Sequence, residues 1–384
     1  MRIFYEWGIK QIQKHGEELC GDNIAVARHT DYVTLALSDG LGSGVKANIL
    51  SILTTRIVMH LMENQLSLNE VVETLGKTLP VCDVRKLAYS TFAIGQFFRD
   101  GRARVVEFDT PPFILLRERK FVSVPYEERK IESKTIRESE LQLKSGDWII
   151  FVSDGVVNAG IGGLYPLGWG LDQIVSFLQE HSHPDLSAQE FADKLAQAVC
   201  DLYCNKPGDD VSVAVVKVRH KLVATILTGP PVDRNTDKAI VTRFKQRTGF
   251  LVVCGGTTAK IVAHHLGSKP LEVELATAKP DVPPLAVVEG IDLTTEGILT
   301  LTKTNDLLHS GADKETVKFD VDGSSALVRL CLDVDHIHFM VGLSVNPAHQ
   351  NPELPRQLGM KLAVVREIAE ELQKRGKEVT IETI

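Results

Sequence analysis

The sequence predicts an α+β chain, with an N-terminal half built of antiparallel sheets covered by helices and a smaller α/β half after it. Three observations carry that expectation. Strand-like segments open and close the first half while helical patterns follow one another between them, an order that suits antiparallel sheets rather than a doubly wound parallel sheet. From about Leu222 onward, helix and strand signals alternate. The length of 384 residues corresponds to about two domains, and 43% hydrophobic with 24% charged residues is an ordinary globular composition that excludes disorder, collagen and coiled coil for the bulk of the chain.

In the first half, residues 1–220, strands are expected at Ile3–Trp7, Ile24–Arg28 and Val33–Ser38. A helix follows with Val45, Ile49, Ile52, Leu53, Ile57 and Leu61 on one apolar face, expected to be the buried one. The next helix opens with a capping box, Ser67 to Glu70, ahead of Val71, Val72, Leu75 and Leu79. Asp100-Gly101 joins Thr91–Phe98 to Arg102–Phe108 as a hairpin. Pro111-Pro112 breaks the chain before a strand at Phe113–Leu116, and the charge-rich stretch 118–140 reads as surface hairpin and loop. Trp148–Val152 is apolar throughout, hence a buried strand. The glycine-rich stretch Asn158–Gly170 reads as a loop or flap. Helices Leu171–Glu180 and Ser187–Asn205 follow, the second with a capping box from Ser187 to Glu190, and Val211–Val218 closes the half as a strand.

In the second half, residues 222–384, Gly229-Pro230-Pro231 reads as a hinge. Helix Thr236–Arg247, strand Phe250–Cys254, a Gly-Gly-Thr-Thr turn and helix Ala259–Leu266 with Gly267 as its cap come next. Pro280–Pro284 marks a loop, Ala326–Val341 reads as strand, and Asn346–Pro355 as a Pro-rich loop. Helix Leu358–Arg375 ends at Gly376 before strand Lys377–Ile381.

Composition narrows the function classes. Lys and Arg total 43 against 50 Asp and Glu, a net charge of −7, so a basic footprint for nucleic acid or an anionic membrane is not expected. Charges at Glu6 and Lys10 leave no signal-peptide pattern, and no stretch reads as the ~20 apolar residues of a membrane span. Cys20, Cys82, Cys200, Cys204, Cys254 and Cys331 are scattered without a CxxC. They read as reduced thiols of a cytoplasmic protein, and Cys200 with Cys204 lacks the spacing of a structural zinc site.

The chemistry concentrates in two near-identical phrases, LALSDG at 35–40 and FVSDG at 151–155. Each puts an aspartate directly after a buried strand and a glycine after the aspartate, so that the strand end holds a carboxylate and the backbone can approach a ligand closely. Asp209-Asp210, leading into the strand at 211–218, is a third acidic element. Taken singly, each phrase is more often a hairpin or solvated turn. Against that, the first is followed by a helical pattern and the second by the glycine-rich loop. Carboxylates gathered from strand ends suit hard divalent cations such as Mg²⁺ or Mn²⁺.

The ordered set ALSDGLGSGVKA, YSTFAIGQF, FVSDGV and GDDVSVAVV, with Cys20-Gly21-Asp22-Asn23 upstream, resembles the SpoIIE-type branch of the PP2C-like metal-dependent serine/threonine phosphatases over about residues 10–218. The resemblance implies an αββα sandwich and a two-metal centre, Mn²⁺ or Mg²⁺, whose activated water hydrolyses phosphoserine or phosphothreonine on a protein. Carried over by position, Asp39 would bridge two ions, Gly40 would offer a backbone carbonyl, and Asp154 and Asp209 would complete one ion's shell. Asp22 matches an acidic second-ion position, and Asp210 stands where the wider family often has Asn. Asp39, Asp154 and Asp209 are thus the catalytic candidates. Where the broader group carries an Arg to hold phosphate, this sequence has His15, Gly16, Glu17, Glu18 and Cys20, which leaves phosphate positioning without a residue. By the same analogy the substrate would be a phosphorylated signalling protein of a bacterium, of the anti-anti-sigma kind, paired with a cognate serine kinase.

No serine, histidine and aspartate constellation competes with this reading, and Cys82-Asp83-Val84-Arg85 is too short for a cysteine-based phosphate loop. In SpoIIE-type relatives, helices beside the metal centre can switch activity when a regulatory domain docks. Here the helix from Val45 would be such an element, or simply a cover for the sheet, and the second half the regulator. In that half, Gly255, Gly256, Thr257 and Thr258 form a strand-turn-helix junction that could bind an anion, without matching a nucleotide fingerprint. The alternative reading is a catalytically silent scaffold or sensor whose C-terminal domain binds a small anionic ligand. A third is that this domain is itself an enzyme on a phosphorylated small molecule.

Overall fold

The computed structural model describes residues 3–78, 90–131, 134–267, 271–273, 285–344 and 355–384. Leu79, Cys82–Arg85, Pro280–Pro284 and most of the Asn346–Pro355 segment lie outside them. The chain divides into two compact units, Met1–His220 and Lys221–Ile384.

The first unit runs β1 (Ile3–Ile12), β2 (Asp22–Arg28), β3 (Tyr32–Asp39), α1 (Gly44–Glu63), α2 (Leu68–Thr78), β4 (Phe92–Phe98), β5 (Arg102–Phe108), β6 (Ile114–Arg117), β7 (Lys120–Val122), β8 (Glu127–Ile131), β9 (Lys134–Gln142), β10 (Trp148–Val152), α3 (Asp154–Val157), α4 (Leu171–His181), α5 (Ala188–Leu202) and β11 (Val211–His220). The strands form two antiparallel sheets, in orders β1-β11-β10-β6-β7 and β2-β3-β4-β5-β9-β8. Leu35, Leu37, Phe97 and Val105 of one sheet meet Ile149, Phe151, Ala214 and Val216 of the other between the layers. Helices α4 and α5 cover one outer face, and α1 and α2 the other. This is an αββα sandwich.

Trp148–Val152 shows why its sequence is apolar throughout. Ile149 and Phe151 face the inter-sheet core while Trp148, Ile150 and Val152 face α5, so alternation by itself would leave neither side wet. Phe151 is 2% exposed and its ring lies 6.0 Å from that of Phe113 and 6.4 Å from that of Phe97. Phe151→Ala is expected to cost about 3–5 kcal/mol, measured by denaturant unfolding followed through Trp7, Trp148 and Trp169. All three tryptophans lie in this unit.

Both capping boxes form: Glu70 Oε2 accepts from Ser67 N at 2.8 Å, and Glu190 Oε2 from Ser187 N at 2.7 Å. The face of α1 is a correction. Val45, Ile49, Ile52 and Leu53, expected inside, are exposed, and the helix docks through Gly44, Ala47, Ser51, Thr54, Thr55, Val58 and Met62. The physical reason is closeness of approach. A β-carbon on Gly40 would lie 2.0 Å from the Ala47 carbonyl oxygen, so only small side chains fit there. The hydroxyls of Ser51, Thr54 and Thr55 are satisfied on carbonyls of their own helix. Gly44–Glu63 is also, by length and composition, apolar enough to cross a membrane, contrary to the expectation that no segment approaches one. Here it packs against β2 and β3. Within 118–140 the expected hairpin forms as β8 paired antiparallel with β9, and β9 also pairs with β5 where loop was expected, held in part by buried Lys134, whose Nζ donates to Gly76 O at 2.7 Å.

The second unit runs β12 (Val223–Thr228), α6 (Asp237–Lys245), β13 (Phe250–Cys254), α7 (Gly256–Leu266), β14 (Leu271–Val273), β15 (Leu285–Val287), β16 (Leu293–Thr295), α8 (Ile298–His309), α9 (Gly323–Asp333), β17 (His336–Val341), α10 (Pro355–Lys374) and β18 (Glu378–Thr383). Its sheet has the order β14-β15-β16-β13-β12-β17-β18, with β16 through β18 mutually parallel and β14 and β15 an antiparallel edge. Two expectations change. Gly229-Pro230-Pro231 is the turn leaving β12, inside the unit rather than a hinge between units. Ala326–Asp333 belongs to α9, because Asp322 accepts from Ser324 N and Ser325 N and so starts a helix that the mostly apolar Ala326–Leu332 segment conceals.

Candidate metal centre

The acidic residues arrive from four places in the first unit. Asp22 opens β2 and Asp39 ends β3, and the two pair directly across the antiparallel ladder. Asp154 starts the short helix α3 immediately after β10, and Asp209-Asp210 precede β11. Strands β10 and β11 are neighbours, with Val152 opposite Val213, so both acids of the second sheet emerge at the same end.

The glycine after each aspartate is demanded by close approach rather than by a turn. A β-carbon on Gly155 would lie 2.0 Å from the Asp210 carbonyl oxygen, and one on Gly40 equally close to Ala47. Gly40 N donates to Gly21 O at 3.2 Å and Thr91 N to Asp39 O at 2.9 Å, which holds the end of β3 between the Asp22 strand and the start of β4. Ser90 Oγ lies 2.5 Å from Ser38 Oγ and donates to Asp39 O at 3.1 Å.

The carboxylates feel one another. Burial first, then Asp22, Asp154 and Asp209, hold the Asp39 carboxyl well above the usual carboxylate range. Asp22 is raised by burial, with Asp210 and Asp154 adding to it while the Ser153 and Ser212 hydroxyls pull the other way. Asp154 is raised by burial and then by Asp209 and Asp210. Asp39, Asp154 and Asp209 therefore share one field. Asp210, 4% exposed, joins that field while its Oδ1 accepts from Lys14 N at 2.9 Å, and burial, then Asp22 and Asp210, push the Cys20 thiol up to about 12.

The donor set fits a hard divalent cation on the structure's own terms. Asp22 Oδ2 is buried and without a hydrogen-bond partner among the described residues, an expensive state for a carboxylate, and mutual repulsion of the facing acids is what a cation relieves. Among the described residues no three His, Cys, Asp or Glu side chains stand as a closed ligand group. The centre is a set of facing carboxylates, not a finished cage.

Several supporting residues carried no signal of their own. Gln11 Nε2 donates to Asp22 O at 3.1 Å and to Ser212 Oγ at 3.0 Å, and Ser153 Oγ accepts from Ser212 N at 2.9 Å. These contacts tie Asp22 of one sheet to the end of the other. Asp109, at φ +53, adds its charge to the field on Asp154. Tyr203, just beyond α5, donates its hydroxyl to Gly155 O at 2.9 Å, and burial with Asp209 and Asp154 raises it to about 12. Only the repeated Ser-Asp-Gly of the two phrases pointed toward this shell, through Ser38 and Ser153. Tyr203→Phe is expected to weaken Mn²⁺ binding about two- to tenfold through loss of one hydrogen bond behind Asp154, read by calorimetric titration. His29 stacks on Tyr32 with ring centroids 4.4 Å apart, and His60 lies on α1; neither is drawn into the acidic group by any contact described above.

An αββα sandwich with carboxylates converging from the strand ends of both sheets defines the PP2C-like class of serine/threonine phosphatases. The family model described as Stage II sporulation protein E (SpoIIE) matches residues 29–219. That stretch is a SpoIIE-type, PP2C-like phosphatase domain, and the match does not extend into the second unit. Among solved structures, the PP2C phosphatase domain with a fragment of the regulatory domain of the cell fate determinant SpoIIE from Bacillus subtilis is 22% identical, at a TM-score of 0.50 over 57% of this chain and 64% of that one. The SpoIIE phosphatase domain in a crystal form without domain swapping is 21% identical, at 0.45 over 57% and 93%. RsbX in complex with magnesium is 17% identical, at 0.41 over 56% and 96%. No curated protein matches the chain.

Proposed function

We propose that the first unit is a metal-dependent protein phosphatase that hydrolyses phosphoserine or phosphothreonine on a signalling protein in the cytosol. The observation that carries the reading is the shared field of Asp39, Asp154 and Asp209 beside the orphaned Oδ2 of Asp22. Asp22, Asp39, Asp154 and Asp209 would hold two Mn²⁺ or Mg²⁺ ions, with Asp210 and the Gly40 carbonyl as further oxygen donors. Bound there, such ions supply Lewis acidity and lower the pKa of a water toward neutrality. The chain's own part is positioning. Asp39 faces both sheets' acids, the Gln11, Ser212 and Ser153 contacts fix Asp22, and Tyr203 fixes the backbone after Asp154. The substrate class, an anti-anti-sigma-like protein with its serine kinase, rests on family analogy.

The test is phosphate release from a phosphopeptide or p-nitrophenyl phosphate with and without Mn²⁺, in the unaltered chain and in Asp154→Asn. Activity should require the metal and be lost in the variant. Metal-independent release that survives the substitution would falsify the mechanism. A second reading, a silent scaffold, draws on the absence of a closed ligand group among the described residues. Calorimetric titration separates the two: a silent scaffold takes up no stoichiometric Mn²⁺, whereas the enzyme takes up two ions.

A further inference from the structure

The parallel strands of the second unit run outward from β12 in both directions, to β13 and β16 on one side and to β17 and β18 on the other. The helix that follows β12, α6, packs with Leu227 and Val253 on one face of the sheet. The helix that follows β17, α10, packs through Val365 and Ile368 with Ile226 and Phe339 on the opposite face. The direction of connection thus reverses between β12 and β17. In open α/β sheets, the crevice beyond the carboxyl ends of the strands at such a reversal is where ligands bind.

One side chain stands at this place. Lys361 of α10 brings its Nζ to 3.5 Å from Gly342 O, directly after β17. A β-carbon on Gly229, directly after β12, would lie 2.4 Å from the same nitrogen. Any larger residue at 229 would displace the ammonium. Burial lowers the pKa of Lys361, and among the described residues no carboxylate pairs with it. An ammonium has three donors to satisfy, and a single long contact to a carbonyl leaves it short of partners. The turns beside it are tied to each other by backbone bonds, Gly342 N to Thr228 O at 2.8 Å and Ser344 N to Pro230 O at 3.1 Å. The ammonium therefore sits over a braced backbone surface.

We propose that the second unit binds a phosphate-bearing small molecule beyond the carboxyl ends of β12 and β17, with Lys361 as its counter-charge. This goes beyond the phosphatase reading and does not depend on it. It also places the ligand at a different junction from the Gly255–Thr258 turn, which follows β13.

The test uses the full chain in EDTA, so that metal-dependent phosphate binding at the acidic centre does not contribute. Pyrophosphate, ADP and NAD⁺ are titrated by calorimetry, which also distinguishes a bare phosphate group from a nucleotide as the source of affinity. At least one should bind with one-to-one stoichiometry, weaken about tenfold or more in Lys361→Met, and stay within about threefold in Lys361→Arg. Hydrogen exchange on the unaltered chain should show ligand-induced protection at 228–231 and 341–344, a readout that stands even if Lys361→Met does not fold. Absence of binding by all three probes, unchanged affinity in Lys361→Met, or protection confined to other segments overturns the proposal.

Discussion

Asp39→Asn is expected to abolish Mn²⁺-dependent phosphate release, by at least ~10²–10³-fold, and at the same time to stabilise the metal-free first unit. The two effects share a cause. Asp39 is crowded by Asp22, Asp154 and Asp209 and is largely buried, so its charge is costly until a cation arrives. The isosteric amide removes that charge and keeps the shape. A gain of about 1–2 kcal/mol is of the size found when a strained functional site is relieved, or ~2–8 °C for a unit of this length. Thermal unfolding in EDTA, followed by fluorescence of Trp7, Trp148 and Trp169, measures it in this unit alone. A variant that loses activity but melts lower than the unaltered chain would show that Asp39 serves the fold rather than an ion.

The second large effect is on pH dependence. Asp22, Asp39 and Asp154 all have folded-state pKa values above their ordinary range, burial being the first cause in each. A carboxyl raised in this way favours the folded state fully only below the unfolded value of about 3.9. That advantage is lost as pH rises through the folded values, since the unfolded chain ionises first. In EDTA, the melting temperature of the first unit should therefore fall as pH rises above about 4, against the rise usual where carboxylates are paired. Excess Mn²⁺ should flatten the slope and, at 100 times its dissociation constant, add about 2.7 kcal/mol. A metal-free melting temperature that climbs steadily over the same range, unchanged by Mn²⁺, would remove the physical basis for the centre.

Much of this molecule could be read from local signals because local physics sets them. The capping boxes at Ser67 and Ser187, the Asp100-Gly101 hairpin and the doubly buried Trp148–Val152 strand each need only neighbours in sequence to be recognised. The two aspartate-glycine phrases were equally legible, since a strand end, an acid and a glycine are a local arrangement. Other features were not readable in this way. The apolar stripe of α1 pointed inward on periodicity, yet contact with the end of β3 admits only small residues, so Ala47, Ser51 and Thr55 face the sheet instead. The run from Ala326 to Val341 hid a helix boundary because the helix and the strand both place apolar residues, such as Leu327, Cys331, Ile337 and Phe339, in the same buried core.

The sequence by itself determined which residues are acidic at strand ends, where the chain divides into two kinds of architecture, and which helices begin with caps. Only the tertiary structure decided that Asp22 faces Asp39 across a ladder, that Asp209 presses on Asp39 while Asp210 presses on Asp22 and accepts from Lys14 N, and that Lys361 reaches the reversal between β12 and β17. The physical reason is range. Caps, turns and alternation are set within a few residues, whereas strand register and the meeting of two sheets bring together groups separated by 17 to nearly 200 positions, and no local pattern encodes which of them will touch.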